Sequence, residues 1–388
     1  MNTLHSSIQF ASPLHQDWVP ELQRIEIASS FQIPAFQIVG LPGREVGEAR
    51  ERVRAAIEAS LFEFPRRRVV LNLSPANVRK EGTGMDLAMA LAILQLGSAE
   101  PIEAPLPGEN ERLIVAWGEL GLDGRVKPSA QVTRTLMAAA LHGATLVLIG
   151  PEDPRAIEAA TRLISSRVDA ARIPIVVPCR TLLEACEALE RHLRGENPHP
   201  WTDPARSPAL SVLSTHAASR AELDEKLLPL HPSLERLIGT CAAGSHHLLM
   251  LGARGTGKSH ALEWITALQP PLSEALQLEH QLIRELHPQM SGPAREVVAP
   301  GSLSAPVRRV GLQTRPQALT GGFDGGAAQP GEFSMAHGGL LLADEFPEWN
   351  RDAREALREP LERGCSTIVR RKGSAELPAR FTLAATGN

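Results

Sequence analysis

The sequence has little of several features that mark specialised classes of protein. Its 388 residues include no tyrosine, nine phenylalanines and five tryptophans, and the basic runs show no aromatic interleaving of the kind that supports base stacking. The four cysteines form no C-x-x-C pair and no disulfide-framework spacing, which predicts ordinary reduced thiols. Lys and Arg number 40 against 44 Asp and Glu, and this balance excludes a globally basic nucleic-acid coat protein.

Long apolar runs are also missing. No window approaches 18 uninterrupted apolar residues, so we expect no membrane span and no membrane partner. Residues 1–22 lack a basic segment followed by an apolar core, so we expect no signal peptide. These absences predict a cytoplasmic location.

The length predicts two or three domains. In the first block, short branched runs at 69–73, 113–116 and 145–149 are typical of strands. They alternate with helical patterns at 45–60, 86–96, 129–142, 155–165 and 181–193. This alternation predicts an α/β domain over residues 1–193. Residues 194–225 are proline-rich and favour a linker, and residues 226–388 form a second domain.

A glycine-rich segment follows an apolar run of the second block. Residues 247–251 favour a strand, and a helical pattern begins at residue 260. The segment between them matches G-x-x-x-x-G-K-[ST] in the strand–loop–helix context that gives this motif its meaning. Its backbone N–H groups can turn inward as an anion nest at the helix N-terminus. The predicted nucleotide-binding residues are Gly252, Ala253, Arg254, Gly255, Thr256, Gly257, Lys258 and Ser259.

Two side chains of this loop have predicted roles. Lys258 can reach the β- and γ-phosphates of ATP, and the Ser259 hydroxyl can ligate Mg²⁺. Arg254 occupies a variable position, and the sequence leaves open whether it touches the nucleotide or faces solvent.

A second apolar run, 340–343, ends in two adjacent carboxylates. Asp344 is placed to hold Mg²⁺ through water, and Glu345 to polarise the attacking water. Taken alone, the pair also fits a helix N-cap ahead of Trp349. The loop motif and the acidic pair support each other and favour a site for ATP and Mg²⁺.

Asn388 follows the last apolar run, 381–385. An asparagine at the tip of a strand beside the acidic strand can position water against the γ-phosphate. Spacing alone leaves open the alternative that Asn388 is only a polar strand end.

Seven stretches of the chain carry a resemblance to a known family. The second block is similar to the AAA+ module of the magnesium-chelatase-like family that includes ComM and YifB, and the matching residues are 242–249, 330–339, 357–364 and 378–385. The first block resembles the same family at 36–42, 48–54 and 72–76, and is similar to a Lon-protease-like domain. The resemblance implies a Lon-protease-like α/β domain joined to a P-loop AAA+ core, with a parallel sheet and flanking helices.

The resemblance also implies a function. ComM-type proteins are homohexameric ring ATPases that act on single-stranded or branched DNA as helicases in branch migration, in natural transformation or recombination. Two alternatives stay open: an ATP-binding regulatory or assembly module with little turnover, and a chelatase-type motor that drives metal insertion.

The chain departs from the family pattern at identifiable positions. A Lon-type serine is expected near Gly84 and its partner lysine near Thr133, so no Ser–Lys dyad is available, and Thr83 has no basic partner in the motif. We therefore expect no peptidase chemistry. The arginine finger, the sensor-2 arginine and the helical lid of the family follow the position of Asn388, so we expect an AAA+ core without its lid.

Basic runs occur at 66–68, ahead of a predicted strand, and at 308–309 and 370–372, where we expect loops. Such runs can pair with DNA phosphates lining a pore. They also fit solvated turns and salt bridges between subunits, and the sequence does not decide between these readings.

Overall fold

Two compact units, Met1–Leu210 and Ser211–Asn388, make up the chain. The computed structural model describes residues 8–14, 18–75, 80, 82–97, 112–128, 131–198, 227, 229–286, 305–324, 327–370 and 373–388. The predicted linker, 194–225, lies outside the described residues from position 199 onward and stays a prediction. Across the described ranges, no helix combines the length and the apolar character that a membrane crossing requires.

The first unit is built on one seven-stranded sheet. Its strands are β1 (Ile8–Leu14), β2 (Glu21–Ser30), β3 (Ala35–Val39), β4 (Arg68–Ser74), β5 (Arg112–Trp117), β6 (Leu146–Ile149) and β7 (Ile175–Pro178). They lie in the order β3-β4-β2-β1-β5-β6-β7, with β2 antiparallel to both neighbours and all other pairs parallel. The three predicted strands are β4, β5 and β6, and the mixed α/β class is confirmed.

Five helices flank this sheet, each within three residues of its predicted start. They are α1 (Arg44–Ala59), α2 (Asp86–Gly97), α3 (Val132–Leu141), α4 (Pro154–Ser165) and α5 (Leu182–Leu193). Side-chain caps fix two of the starts. The Asp153 carboxylate accepts from the backbone N–H of Arg155, and the Thr181 hydroxyl accepts from that of Glu184.

Helix α2 is apolar around its circumference and packs against both α1 and the sheet. A fully buried carboxylate, Asp86, opens it and needs a partner in that setting. The Arg52 guanidinium of α1 donates two bonds to it, at 2.8 and 3.1 Å, and the backbone N–H of Leu120 donates a third at 3.3 Å. The ion pair therefore fixes α1 against the start of α2.

The approach to α2 contains the positions where a Lon-type dyad is expected. A Cβ atom at Gly84 would lie 2.3 Å from Cε2 of the Trp117 indole, so a serine does not fit there. Thr133 is only 3% exposed. Thr83 donates its hydroxyl proton to one oxygen of Glu119, and the other oxygen accepts from Lys127. The two dyad positions therefore present no paired nucleophile and base.

The packing at Gly84 gives a stability prediction. We expect Gly84→Ser to destabilise the protein by about 1–3 kcal/mol, because the rigid indole of Trp117 is itself buried and cannot move aside freely. The measurement is the urea midpoint followed by circular dichroism. Gly47→Ser is the matched control, because a Cβ at Gly47 meets nothing within 4 Å. Equal midpoints for the two variants would contradict the steric account.

The second unit contains a four-stranded sheet and two hairpins. The sheet consists of β8 (Leu248–Leu251), β9 (Val307–Val310), β12 (Leu340–Ala343) and β15 (Thr382–Gly387). These strands are all parallel, in the order β8-β15-β12-β9. The hairpins are β10 (Gly321–Asp324) with β11 (Ala327–Pro330), and β13 (Cys365–Arg370) with β14 (Gly373–Pro378).

Helices cover both faces of the four-stranded sheet. They are α6 (Pro232–Gly244), α7 (Lys258–Ala267), α8 (Glu274–Arg284), α9 (Pro316–Thr320), α10 (Glu332–Met335), α11 (Arg351–Ala356) and α12 (Arg358–Arg363). Successive side chains of β12 enter two different cores. Leu340 and Leu342 pack with Trp264 of α7, whereas Leu341 packs with Phe333 of α10. Burial on both faces explains why the strand is an uninterrupted apolar run.

Three sequence predictions for this unit were wrong in detail. Arg308 and Arg309 lie in strand β9 and not in a loop; β9 is an edge strand, and Arg308 donates to Glu332 at 2.6 and 2.9 Å. Residues 352–363 follow a pattern that predicts one helix, but the structure has two, because Pro360 has no N–H to bond the carbonyl four residues earlier. Arg370 ends β13 and not a loop, while residues 371–372 lie outside the described residues.

Candidate functional site

The glycine-rich loop connects β8 to α7 at the carboxyl edge of the parallel sheet. Gly255 and Gly257 have φ values of +80° and +86°, and a Cβ at either would meet nothing within 4 Å. Both residues therefore adopt the left-handed conformation that glycine allows, and the space in front of them is open. Helix α7 begins at Lys258 without a side-chain cap, so its first backbone N–H groups are available to an anion.

Lys258 lies in the mouth of this loop. Its Nζ donates to the backbone oxygens of Gly252 at 2.5 Å and Ala253 at 2.9 Å, and to Oδ1 of Asn388 at 3.1 Å. All three acceptors are neutral, so none of these contacts compensates the ammonium charge. The position combines a positive charge with a helix N-terminus, which favours a phosphate group.

The acidic pair follows β12 at the same edge. The Thr386 hydroxyl of β15 donates to Oδ1 of Asp344. The backbone N–H of Glu345 contacts that same Oδ1 at 3.1 Å and the Thr386 oxygen at 3.3 Å. The Trp349 indole donates to the Asp344 carbonyl at 2.9 Å. These bonds hold the main chain and one carboxylate oxygen, and both acidic residues are exposed.

The alternative of a helix cap does not account for the acidic pair. Glu345 has φ +49° and its side chain makes no cap bond to the 3-10 turn Phe346–Glu348. Helix α11 is capped instead by Asn350, whose side-chain oxygen accepts from Ala353 N–H at 2.7 Å. A non-glycine residue in the left-handed region is strained, and such strain clusters at functional sites.

The register of the sheet brings these groups together. Gly387 pairs with Leu251 of β8 and Ala385 pairs with Ala343 of β12, so β15 lies between the loop strand and the acidic strand. Adjacent strands are about 4.8 Å apart, which separates β8 from β12 by roughly 10 Å. Thr386 of β15 is thus next to Asp344, and Asn388, the residue after β15, is next to Lys258.

The remaining predicted residues lie around the loop. Thr256 closes it by donating to the Ala253 carbonyl at 2.9 Å. Ser259 is exposed in the first turn of α7. Arg254 is exposed and has no bonding partner in the part of the chain that the structure describes, so it faces solvent.

Sequence reasoning missed Thr386 at this edge and His247 at the opposite, amino-terminal end of the same strands. Thr386 lies outside the predicted apolar run 381–385, although a hydroxyl at a parallel strand end beside an acidic strand is a usable signal. His246 and His247 predict a turn at the entry of the strand 247–251, and this pattern assigns the His247 imidazole no hydrogen bond. Burial and the nearby charge of His246 lower the pKa of His247, and its Nδ1 accepts from the Leu383 N–H at 3.0 Å, linking the starts of β8 and β15.

The donor set fits Mg²⁺ and a nucleotide. A hydroxyl at Ser259 and a carboxylate at Asp344 are hard oxygen ligands of the kind that Mg²⁺ takes. The open cradle in front of Gly255 and Gly257, with Lys258 beside it, suits a chain of phosphates.

Fold and site together define a P-loop α/β module. Residues 231–388 match the family model described as magnesium chelatase, subunit ChlI, and residues 25–153 match a second model described as subunit ChlI of Mg-chelatase. The chain therefore belongs to the magnesium-chelatase-like AAA+ family of YifB and ComM.

Individual relatives support the same assignment. The chain is similar to YifB of Escherichia coli, with 32% identity over 94% of this chain and 64% of that protein. It is 33% identical to an uncharacterized protein of Mycobacterium tuberculosis, over 95% of this chain and 66% of that protein. It is 30% identical to competence protein ComM of Haemophilus influenzae, over 95% of this chain and 65% of that protein. The chain thus spans slightly less than two thirds of the length of these relatives.

The position of Lys258 gives a binding prediction. We expect Lys258→Ala to weaken binding of a fluorescent ATP analogue by about 10- to 100-fold, because a charge-assisted bond to phosphate is lost. Arg172→Ala removes an exposed cation from the first unit and should leave the affinity unchanged. Equal affinities for wild type and Lys258→Ala would disprove the assignment of this loop.

Proposed function

We propose that this chain is an Mg²⁺-dependent ATPase that works as a motor on DNA. The observation that carries the ATPase proposal is the convergence of Lys258, Asn388 and the Thr386–Asp344 pair at one edge of a parallel sheet. Ligand sites of open α/β sheets lie at this carboxyl edge. ATP and Mg²⁺, when bound, supply the phosphoanhydride bond and the charge that polarises it.

Each residue has a proposed task. Lys258 exchanges its contacts with the Gly252 and Ala253 carbonyls for phosphate oxygens, and backbone N–H groups at the start of α7 hold the same anion. Ser259 and Asp344 hold the metal. Asn388 orients the attacking water.

Glu345 is the proposed base. Its carboxylate is exposed at the site edge and accepts the proton that the attacking water loses. The bonds from the Glu345 backbone N–H to the Asp344 and Thr386 side chains fix the position of the Glu345 main chain, from which the carboxylate extends. Thr386 is a positioning residue, since its hydroxyl orients the Asp344 carboxylate.

The DNA part of the proposal rests on the family and on charge. One relative is named competence protein ComM. In the second unit, Arg370 and Gly373 are the last paired residues of the β13–β14 hairpin, and the sequence from 370 to 372 is wholly basic. Such a hairpin suits contact with a phosphate backbone.

Three of the four exposed arginines of α11 and α12 carry less weight as DNA contacts. Arg351 pairs with Glu355 at 2.7 Å, Arg358 with Glu362 at 2.9 Å, and Arg363 with an acidic neighbour at 3.1 Å. These neutralised pairs support the alternative of solvated salt bridges for this part of the chain.

We also propose a homohexameric ring. AAA+ hydrolysis of this type places an arginine from one subunit against the nucleotide of the next, an effect of about 10³–10⁵ in rate. The second candidate function is a metal-insertion motor, which the descriptions of both matched family models favour. Stimulation of turnover by DNA separates the two candidates.

The proposed base gives a kinetic prediction. We expect Glu345→Gln to keep ATP binding while steady-state turnover falls about 10²- to 10⁴-fold, because the amide cannot accept a proton. Thr386→Val should lower turnover less, since Asp344 keeps its carboxylate but loses the hydroxyl that orients it.

The experiment measures ATP turnover with and without single-stranded and forked DNA, beside Lys258→Ala and Glu345→Gln. The proposal predicts DNA-stimulated turnover in the wild type that both variants lose. Turnover that DNA leaves unchanged would contradict the DNA motor and favour the metal-insertion candidate. Saturable binding without turnover would indicate a regulatory ATP-binding module.

A further inference from the structure

A groove of about 580 Å³ runs along the β3 edge of the first unit. Strand β3, the end of α1 and the segment 61–67 form its walls. Strand β3 is an outer strand of the sheet. We call this surface the β3-edge groove.

Aromatic rings and guanidinium groups meet at the groove. The rings of Phe36 and Phe64 are 5.6 Å apart between centroids, and Arg54 lies 5.4 Å from the centre of the Phe64 ring. Phe31, at the adjoining β2–β3 turn, is 95% exposed, with Arg67 at 6.0 Å from its ring centre. Flat aromatic and guanidinium surfaces are the groups on which unstacked bases stack.

The positive charge of the groove is largely uncompensated. Arg67 donates to the Leu96 carbonyl at 2.6 Å, and Arg68 donates to the side-chain oxygens of two glutamines at 3.1 and 3.0 Å. Arg66 is exposed, and within the described residues it has no bonding partner. The paired arginines of α11 and α12 show the opposite pattern. This charge therefore complements a polyanion.

Acidic residues do not cancel this charge. Two glutamates line the groove with three arginines: Glu58 pairs with Arg54 at 3.0 Å, and Glu63 is exposed. Within the described ranges, Arg66 and Arg67 of the lining and the adjoining Arg68 have no acidic contact.

A strained residue shapes one wall. Leu61 follows α1 with φ +64° and is 95% exposed, so neither burial nor glycine-like freedom compensates its left-handed backbone. Its N–H donates to the Glu58 carbonyl at 3.1 Å. The Phe62 N–H donates to the Ile57 carbonyl at 3.2 Å, so this turn is a helix C-cap that leads the chain from α1 into the segment 61–67.

We propose that the β3-edge groove binds single-stranded DNA, with bases stacked on the rings of Phe31, Phe36 and Phe64 and phosphates on Arg66, Arg67 and Arg68. The inference rests on the proposed function for its choice of DNA, and it names a contact surface on the first unit, separate from the ATP site. Single strands are favoured over duplex because only unpaired bases expose their faces.

The test measures fluorescence anisotropy of a labelled 20-nucleotide oligo-dT with the full chain, over a range of salt concentrations. Phe31→Ala should weaken binding at least about fivefold, because one base loses its stacking surface. Arg66→Ala should weaken binding and lower the slope of log K against log salt by about 0.7, the value for one phosphate contact on a single strand. A duplex of the same length should bind more weakly than the single strand.

The controls separate a local effect from unfolding. Arg172→Ala removes an exposed cation next to β7, at the other edge of the same sheet, and should leave affinity and salt slope unchanged. Phe31 and Arg66 are exposed, so thermal unfolding of their variants should match the wild type.

The outcomes distinguish this inference from the proposed function. If Phe31→Ala and Arg66→Ala bind oligo-dT as the wild type does while DNA still stimulates wild-type turnover, the groove is wrong and the motor proposal stands. If the wild type binds no oligo-dT and DNA leaves its turnover unchanged, both are wrong. If the variants change the sedimentation of the chain but not its DNA affinity, the groove is a contact between copies and the inference is overturned.

Discussion

Parallel pairing of β15 between β8 and β12 is the constraint on which the candidate site depends. Thr386 of β15 reaches Asp344 on one side, and Asn388, directly after β15, reaches Lys258 on the other. A shift of β15 by one residue would turn Leu383 and Ala384 toward the wrong cores. Core packing therefore fixes the same register that assembles the site.

The first unit depends on a different interaction. Asp86 opens a helix that is buried on all sides, and Arg52 compensates its charge through two hydrogen bonds. Removing one partner of such a pair leaves a buried charge, which costs about 3–5 kcal/mol. Next to this helix, the indole of Trp117 fills the space that a side chain at residue 84 would need. The Arg52–Asp86 pair and the packing of Trp117 against Gly84 therefore hold α2 in place in the first unit.

Charge is distributed differently on the two units. On α11 and α12 three of the four exposed arginines, Arg351, Arg358 and Arg363, lie four residues from glutamates and form helical pairs of small energetic value. Near β3, Arg67 and Arg68 bond neutral oxygens, and Arg67 lies 6.0 Å from the centre of the Phe31 ring. The sequence does not distinguish Arg66 from Arg351. The structure does, because Arg351 pairs with Glu355, whereas Arg66 has no bonding partner within the described residues.

The sequence by itself determined the elements and the chemistry of the loop. Apolar runs predicted β4, β5, β6, β8, β12 and most of β15, and the motif at 252–259 with Asp344 and Glu345 marked the edge where the site lies. Local patterns suffice there because burial on both faces of a parallel strand leaves a continuous apolar signature. The same reasoning missed β9, since an edge strand can hold Arg308 and Arg309.

Only the tertiary structure decided which residues meet. Thr386 and Asp344 are 42 positions apart, and Lys258 and Asn388 are 130 apart. The sequence likewise did not predict that Phe31, Phe36 and Phe64 lie around one groove. A low aromatic content of the whole chain does not exclude a local group of aromatic side chains. Periodicity reports which side of an element is buried, whereas strand order and register bring distant residues into contact.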